Sequence, residues 1–299
     1  MCESKDPALR CRVFPIKILC DTLRVISTNK LLFSSILCFT TLPLSYLSFT
    51  LTISTHTLRL RIYHLEALAR VVSTRMEARH VWHESRDDAV SLLHTKALFS
   101  LLYFPLSLAA AVSSVHVTVS AVQGKPPAVC SALRHNWKRP AVTSVFVYVI
   151  LLAFAPVPRV LSAPFVTAWV RVLVRVLGSG AEVYLMAVMS LALVVSVAED
   201  RVGLDAIWAG SWLMKERRVC AWILSGFLVL VSWLMNWKVG VLMESENWVI
   251  GVFVCLYALV VPFSYVITTV FYCESRRLIE IKEQQSRDNQ DCVSLSLSL

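Results

Sequence analysis

WVIGVFVCLYALVVPFSYVITTVFY, residues 248–272, runs for 25 residues without one charged side chain. At a helical rise of about 1.5 Å per residue this stretch exceeds the roughly 30 Å hydrocarbon core of a bilayer. Trp248 and Tyr272 stand at its two ends, where amphipathic rings favour the headgroup boundary. Working back along the chain, similar runs occupy 31–53, 97–122, 141–157, 177–198 and 219–237. Lipid offers no partner to an open backbone N–H or C=O, so a helix is the form such runs must take. The expected fold is therefore all-α: a polytopic membrane helical bundle of about six transmembrane helices. Hydroxyls in the first run can bond back to helix carbonyls, which makes them acceptable in lipid.

The whole composition agrees. Hydrophobic residues make up 57% of the 299, charged residues only 16%, and the mean hydropathy is +0.64, a balance that a water-soluble domain could not hide. Residues 1–30 read as a polar cytosolic leader carrying an amphipathic helix. Residues 31–272 form the six-span domain, in which 55–96 is a charged helical loop, and 273–299 is expected to be a disordered cytosolic tail. The apolar part of the first run is too long for a cleaved signal peptide and follows a leader of about thirty residues, so a retained signal-anchor is expected.

Basic residues set the orientation. The leader, the segments after the second and fourth runs and the tail carry 18 of the 29 Lys and Arg, against 11 on the opposite side. Both termini are thereby expected in the cytosol. The seven basic residues of 55–96 oppose that trend, but Glu66, Glu77, Glu84, Asp87 and Asp88 nearly balance them.

Three spans are entered in the same way. Ile16, Leu19, Cys20, Leu23 and Ile26 recur at helical spacing before the first; Val129, Cys130, Leu133 and Trp137 before the third; Leu204, Ile207, Trp208 and Trp212 before the fifth. Each stripe ends in basic residues: Lys30, then Lys138 and Arg139, then Arg217 and Arg218. The pattern predicts three interfacial amphipathic helices in an internal three-fold repeat, with these five side chains contacting anionic lipid at about 1 kcal/mol per charge.

The stretches ALRHNWKRP (132–140) followed by VTSVF (142–146), RHVWHESR (79–86) and APVPR (155–159) resemble a group of plant six-helix membrane proteins without an established activity. The amphipathic-helix-plus-span repeat is similar in architecture to the membrane domain of some glycerophosphodiester phosphodiesterases. The resemblance implies a fold and a membrane setting, and implies neither a reaction nor any functional residue.

Chemistry-bearing residues concentrate in 80–94, which holds His80, His83, Glu84, Asp87, Asp88 and His94. On a helix His80, His83 and Asp87 share a face, a ligand set suited to zinc. The competing reading is a solvated helix with ordinary four-residue pairs, His80 with Glu84 and His83 with Asp87. No zinc-peptidase HExxH motif is present. Cys2, Cys11, Cys20 and Cys273 lie where S-palmitoylation is feasible, while Cys38, Cys220 and Cys255 read as packing residues. Intramembrane carboxylates, which mark ion-coupled transport paths, are sparse. No nucleophile, base and oxyanion partner can be assembled, so no enzyme activity and no cofactor are expected. The net charge of +9 is spread over membrane flanks, which favours anionic lipid over nucleic acid. The function expected is non-enzymatic, organising lipids or partner proteins at the cytosolic face. A carrier or channel is the alternative, and the endoplasmic reticulum and plasma membrane are both open.

Overall fold

A computed structural model describes residues 7–71, 75–124, 137–154, 156–162, 167–199, 201–215, 217–242 and 247–297, and among them the regular structure is helical. The order is α1 (Pro7–Thr28), α2 (Lys30–Ile36), a π-helical turn (Leu37–Thr41), α3 (Leu42–Val71), α4 (Arg75–Val122), α5 (Lys138–Phe154), α6 (Val157–Ser162), α7 (Ala168–Ala198), α8 (Leu204–Lys215), α9 (Arg218–Leu242) and α10 (Asn247–Leu297).

The described helices include four stretches long and apolar enough to cross a membrane: Lys30–Leu65, Arg79–Val122, Trp169–Ala198 and Trp248–Gln285. They correspond to the first, second, fourth and sixth expected runs. The other two are shorter, α5 with 17 residues and the apolar part of α9, Arg218–Ser232. Several helices extend past the apolar runs, whereas α5 stops at Phe154, short of the end of the third. The charged segment 55–96 is not an independent loop helix but the facing ends of α3 and α4, because its Glu, Arg, Leu and Ala residues favour helix as strongly as the runs they continue. At the other end α10 continues to Leu297, where a disordered tail was expected from Cys273 onward. No Gly or Pro follows Pro262 in that stretch, and Glu, Gln, Lys and Arg dominate it. Arg171 and Arg175 lie in α7, in one helix with Glu182.

The π-helical turn has a local cause. Pro43 brings no N–H, so the carbonyl four residues before it loses its donor and the spiral widens there. The Leu42 N–H bonds to the Leu37 carbonyl. The hydroxyls of Thr40 and Thr41 donate to the carbonyls of Ile36 and Leu37, at 2.7 and 3.1 Å.

The chain divides into two compact units. One comprises Ser34–Ala110 and Ser232–Pro262. In it α3 and α4 form an antiparallel hairpin, with Arg61 of α3 facing Glu84 and Asp88 of α4 at 3.8 Å each. Phe49 and Val254 are buried together, and Phe49 meets the Tyr257 ring edge-on at 6.0 Å between centroids.

The other unit comprises Met1–Phe33, Ala111–Val231 and Phe263–Leu299. Its core is supplied by Ala187, Val188, Leu191, Ala192, Val194 and Val195 of α7, Val112, Val115 and Val117 of α4, and Val266, Ile267 and Phe271 of α10. Beyond Gly203, α8 folds back on α7. Gly210 comes so close that a Cβ there would lie 3.0 Å from the Ala192 nitrogen and 3.3 Å from the Val188 carbonyl oxygen. Farther along, the Trp222 ring of α9 lies over Gly180 of α7. The α8 face turned to the protein is small or flexible, made of Ala206, Ala209, Gly210, Leu213 and Met214. In lipid, where burying a large apolar side chain gains little, small residues that let backbones approach are the ones that hold helices together.

Candidate functional site

The five basic residues expected to contact lipid stand where helices begin. Lys30 opens α2, Lys138 and Arg139 open α5, and Arg217 and Arg218 precede or open α9; none of these first turns holds an acid. Lys30, Lys138 and Arg218 are exposed, and Arg139 and Arg217 are half-buried. A helix start already carries partial positive charge and free N–H groups, so cations there raise the local potential, and an external anion is the group that lowers it. They do not form one patch. Lys138 and Arg139 lie beside the α7–α8 turn, whereas Arg217 and Arg218 lie at the far end of α8, about 18 Å away by helix rise.

Thr143 links the start of α5 to the α7–α8 turn. Its hydroxyl donates to the Arg139 carbonyl at 3.1 Å and accepts the Gly203 N–H at 3.0 Å. Gly203 adopts a φ of +61°, a left-handed conformation that costs a side-chain-bearing residue, and it closes the turn from α7 into α8.

On the same turn lies a cluster that the sequence did not reveal. Glu199 follows the last residue of α7, and its carboxylate is only 16% exposed. Its Oε1 accepts from the Tyr272 hydroxyl and from Arg276 Nη2, each at 2.8 Å; its Oε2 faces Arg201 Nε at 3.1 Å. Between Tyr272 and Arg276 on α10, Glu274 pairs with Lys17 of α1 at 3.0 Å. The carboxylates thus tie α1, α7 and α10 together just where the apolar runs end. Glu199 and Tyr272 are 73 positions apart, so no local spacing could have signalled the contact.

Two of the three expected stripes fall on described helices, α1 and α8. Leu204, Trp208 and Trp212 of α8 are 62, 70 and 45% exposed, on the side away from α7, flanked by exposed Asp205 and Lys215. In α1 the buried positions are Ile18 and Thr22, while Ile16, Cys20 and Leu23 point outward. Of the middle copy, 129–136 lie outside the described residues.

His80, His83, Glu84 and Asp87, with Met76 and Arg79, line an open depression of about 470 Å³ on α4. His83 Nδ1 lies 3.5 Å from Asp87 Oδ2, and Glu84 turns to Arg61. Among the described residues no group of three or more His, Cys, Asp or Glu is arranged to hold a metal ion. Of the two expected four-residue pairs, His83 with Asp87 is observed, whereas Glu84 faces Arg61. Cys220 is buried, Cys20, Cys38 and Cys255 are exposed and Cys273 is half-buried, so Cys38 and Cys255 do not pack between helices as expected.

No curated protein and no solved structure matches the chain. The profile of DUF8558, a domain of unknown function, matches residues 13–291, nearly the entire chain, and the protein therefore belongs to the DUF8558 family.

Proposed function

We propose that this protein is a non-enzymatic multi-pass membrane protein that organises lipids or partner proteins at the cytosolic membrane face. The observation that carries this reading is the outward stripe of Leu204, Trp208 and Trp212 on α8, whose opposite face, Ala206, Ala209, Gly210, Leu213 and Met214, is buried. A twelve-residue helix is too short to cross a bilayer, and it is joined to the candidate span α7 through a five-residue turn. Exposed tryptophans in that setting favour the headgroup boundary. The exposed Ile16 and Leu23 of α1 give the leader the same character.

In this reading α5 and α9 complete six spans, both termini are cytosolic, the three amphipathic entries form a repeat, and the membrane is the endoplasmic reticulum or plasma membrane. The helix-start cations Lys30, Lys138, Arg139, Arg217 and Arg218 gather anionic headgroups.

The test is lipid selectivity in the reconstituted full chain. Spin-labelled phosphatidylserine and phosphatidylcholine are compared by the fraction immobilised at the protein surface. The wild type is expected to prefer the serine lipid by about threefold, the effect of one lipid-facing charge at about 1 kcal/mol after partial screening. Glu substitutions at Lys138 and Arg139, and separately at Arg217 and Arg218, are expected to remove most of that preference. An unchanged ratio in both variants, with partner capture also unchanged, refutes the proposal.

A further inference from the structure

We propose that Arg201 and Arg276, held by Glu199, form a binding site for the phosphodiester of one anionic glycerophospholipid. The inference deepens the lipid-organising reading and rests on it for the depth at which the site lies, but it concerns a different set of residues.

The argument begins with the carboxylate. Glu199 receives three donors on two oxygens and is thereby satisfied. The guanidiniums are not. Each carries five N–H donors, and Glu199 engages Arg201 through Nε and Arg276 through Nη2. Arg276 also hydrogen-bonds the Tyr272 side chain, and the two arginine side chains remain 46 and 37% exposed, which leaves further N–H donors within reach of a ligand from outside. Both cations are fixed to one small anion, so they stand close enough for a single phosphate to bridge them. Their planes are already oriented, and the ordering cost of binding is reduced accordingly.

Charge selects the ligand. Two guanidiniums and one carboxylate leave a single positive charge, which matches the single negative charge of a phosphodiester. The other charged groups on the packed elements are Glu274, which is paired with Lys17, and Asp205, Arg277 and Glu280, which are exposed; Asp200, between Glu199 and Arg201 in sequence, lies outside the described residues. The exposed Lys138 stands at the same end of the unit, through the Thr143–Gly203 link. Position selects the source. Arg201 lies three residues beyond the end of α7, and Arg276 one turn beyond Tyr272, the aromatic end of the last apolar run. That is where a lipid phosphate sits when the apolar runs occupy the hydrocarbon core. Planar forks of this kind recognise phosphate oxygens in pairs, which a lysine cannot do.

The experiment uses the full chain in phosphatidylcholine nanodiscs containing phosphatidylglycerol, with retained lipids counted by native mass spectrometry. The wild type is expected to hold one phosphatidylglycerol through lipid stripping. Arg201→Gln with Arg276→Gln is expected to lose it, and Arg201→Gln alone, which leaves the Arg276–Glu199–Tyr272 contacts standing, to weaken retention by about tenfold, the worth of one charge-assisted hydrogen bond. Gln substitutions at Arg217 and Arg218, at the far end of α8, should lower the surface selectivity described above yet keep the retained lipid. A wild type that retains none, or a double variant that retains it as well, overturns the site. Displacement by micromolar glycerophosphoglycerol or inorganic phosphate would make the ligand a soluble phosphate and overturn the lipid assignment. Loss of selectivity in the entry variants with the fork unaffected, or the reverse, shows which of the two proposals has failed.

Discussion

Thr143 is the residue on which the α5–α7–α8 corner depends. It is fully buried and serves two backbone groups at once, the Arg139 carbonyl and the Gly203 N–H. Thr143→Val keeps the shape and removes both bonds, and Gly203 is then left with a buried donor and no acceptor. The expected cost is about 1–3 kcal/mol, read as a lower thermal midpoint in micelles, with Thr143→Ser recovering most of it. Glu199 invites a different comparison. Glu199→Ala removes the common acceptor of Tyr272, Arg201 and Arg276, but both guanidiniums can turn to water, so the loss should be about 1–2 kcal/mol, below that of a deeply buried pair. Glu199→Gln retains an acceptor and should fall between, which the same melting experiment can resolve. Neither contact could be read from the chain. Thr143 is one of many hydroxyls in apolar runs, and Glu199 looks like an ordinary acid after a span, until folding brings residues 60 to 77 positions away against them.

Helix α8 shows how far pattern reading reaches at the level of an element. The apolar stripe at Leu204, Trp208 and Trp212 and the helix itself follow from spacing, yet the side that packs is the other one, because close backbone approach selects Ala206, Ala209 and Gly210. Hydrophobicity alone ranks tryptophan above glycine for burial, and in lipid that ranking loses its force. The same reasoning explains why apolar runs located the long helices but misplaced their ends: length marks the part that suits lipid, whereas propensity carries the helix on through 55–96 and past Tyr272. A pair of glycines separates the two influences. Gly210→Ala should destabilise by about 1–3 kcal/mol despite the better helix propensity of alanine, since the new Cβ meets the α7 backbone at 3.0 Å. At Gly226 of α9 nothing lies within 4 Å, so Gly226→Ala should be neutral or stabilising by up to about 1 kcal/mol. Equal effects from the two substitutions, measured by thermal unfolding, would contradict the packing of α8 on α7.

For the molecule as a whole, the open quantity is which side of the membrane each charged segment occupies. The α3–α4 hairpin gives that question a physical handle. Arg61 faces Glu84 and Asp88 across it, so the charges of 55–96 are in part neutralised within the hairpin. A segment neutralised in this way is cheaper to translocate than its seven basic residues suggest, and the positive-inside bias of the remaining chain can dominate. The chain holds no Asn-x-Ser/Thr acceptor, which leaves a clean background for inserted ones. An acceptor placed near Ser85, at the middle of the hairpin, should be glycosylated in microsomes, and one near Ser286 on the last helix should not. Six spans require the two sites to lie on opposite sides, because five further crossings separate them. Modification at both sites, or at Ser286 alone, would leave an even number of crossings between them or reverse the charge rule. The amphipathic entries would then no longer share a cytosolic surface.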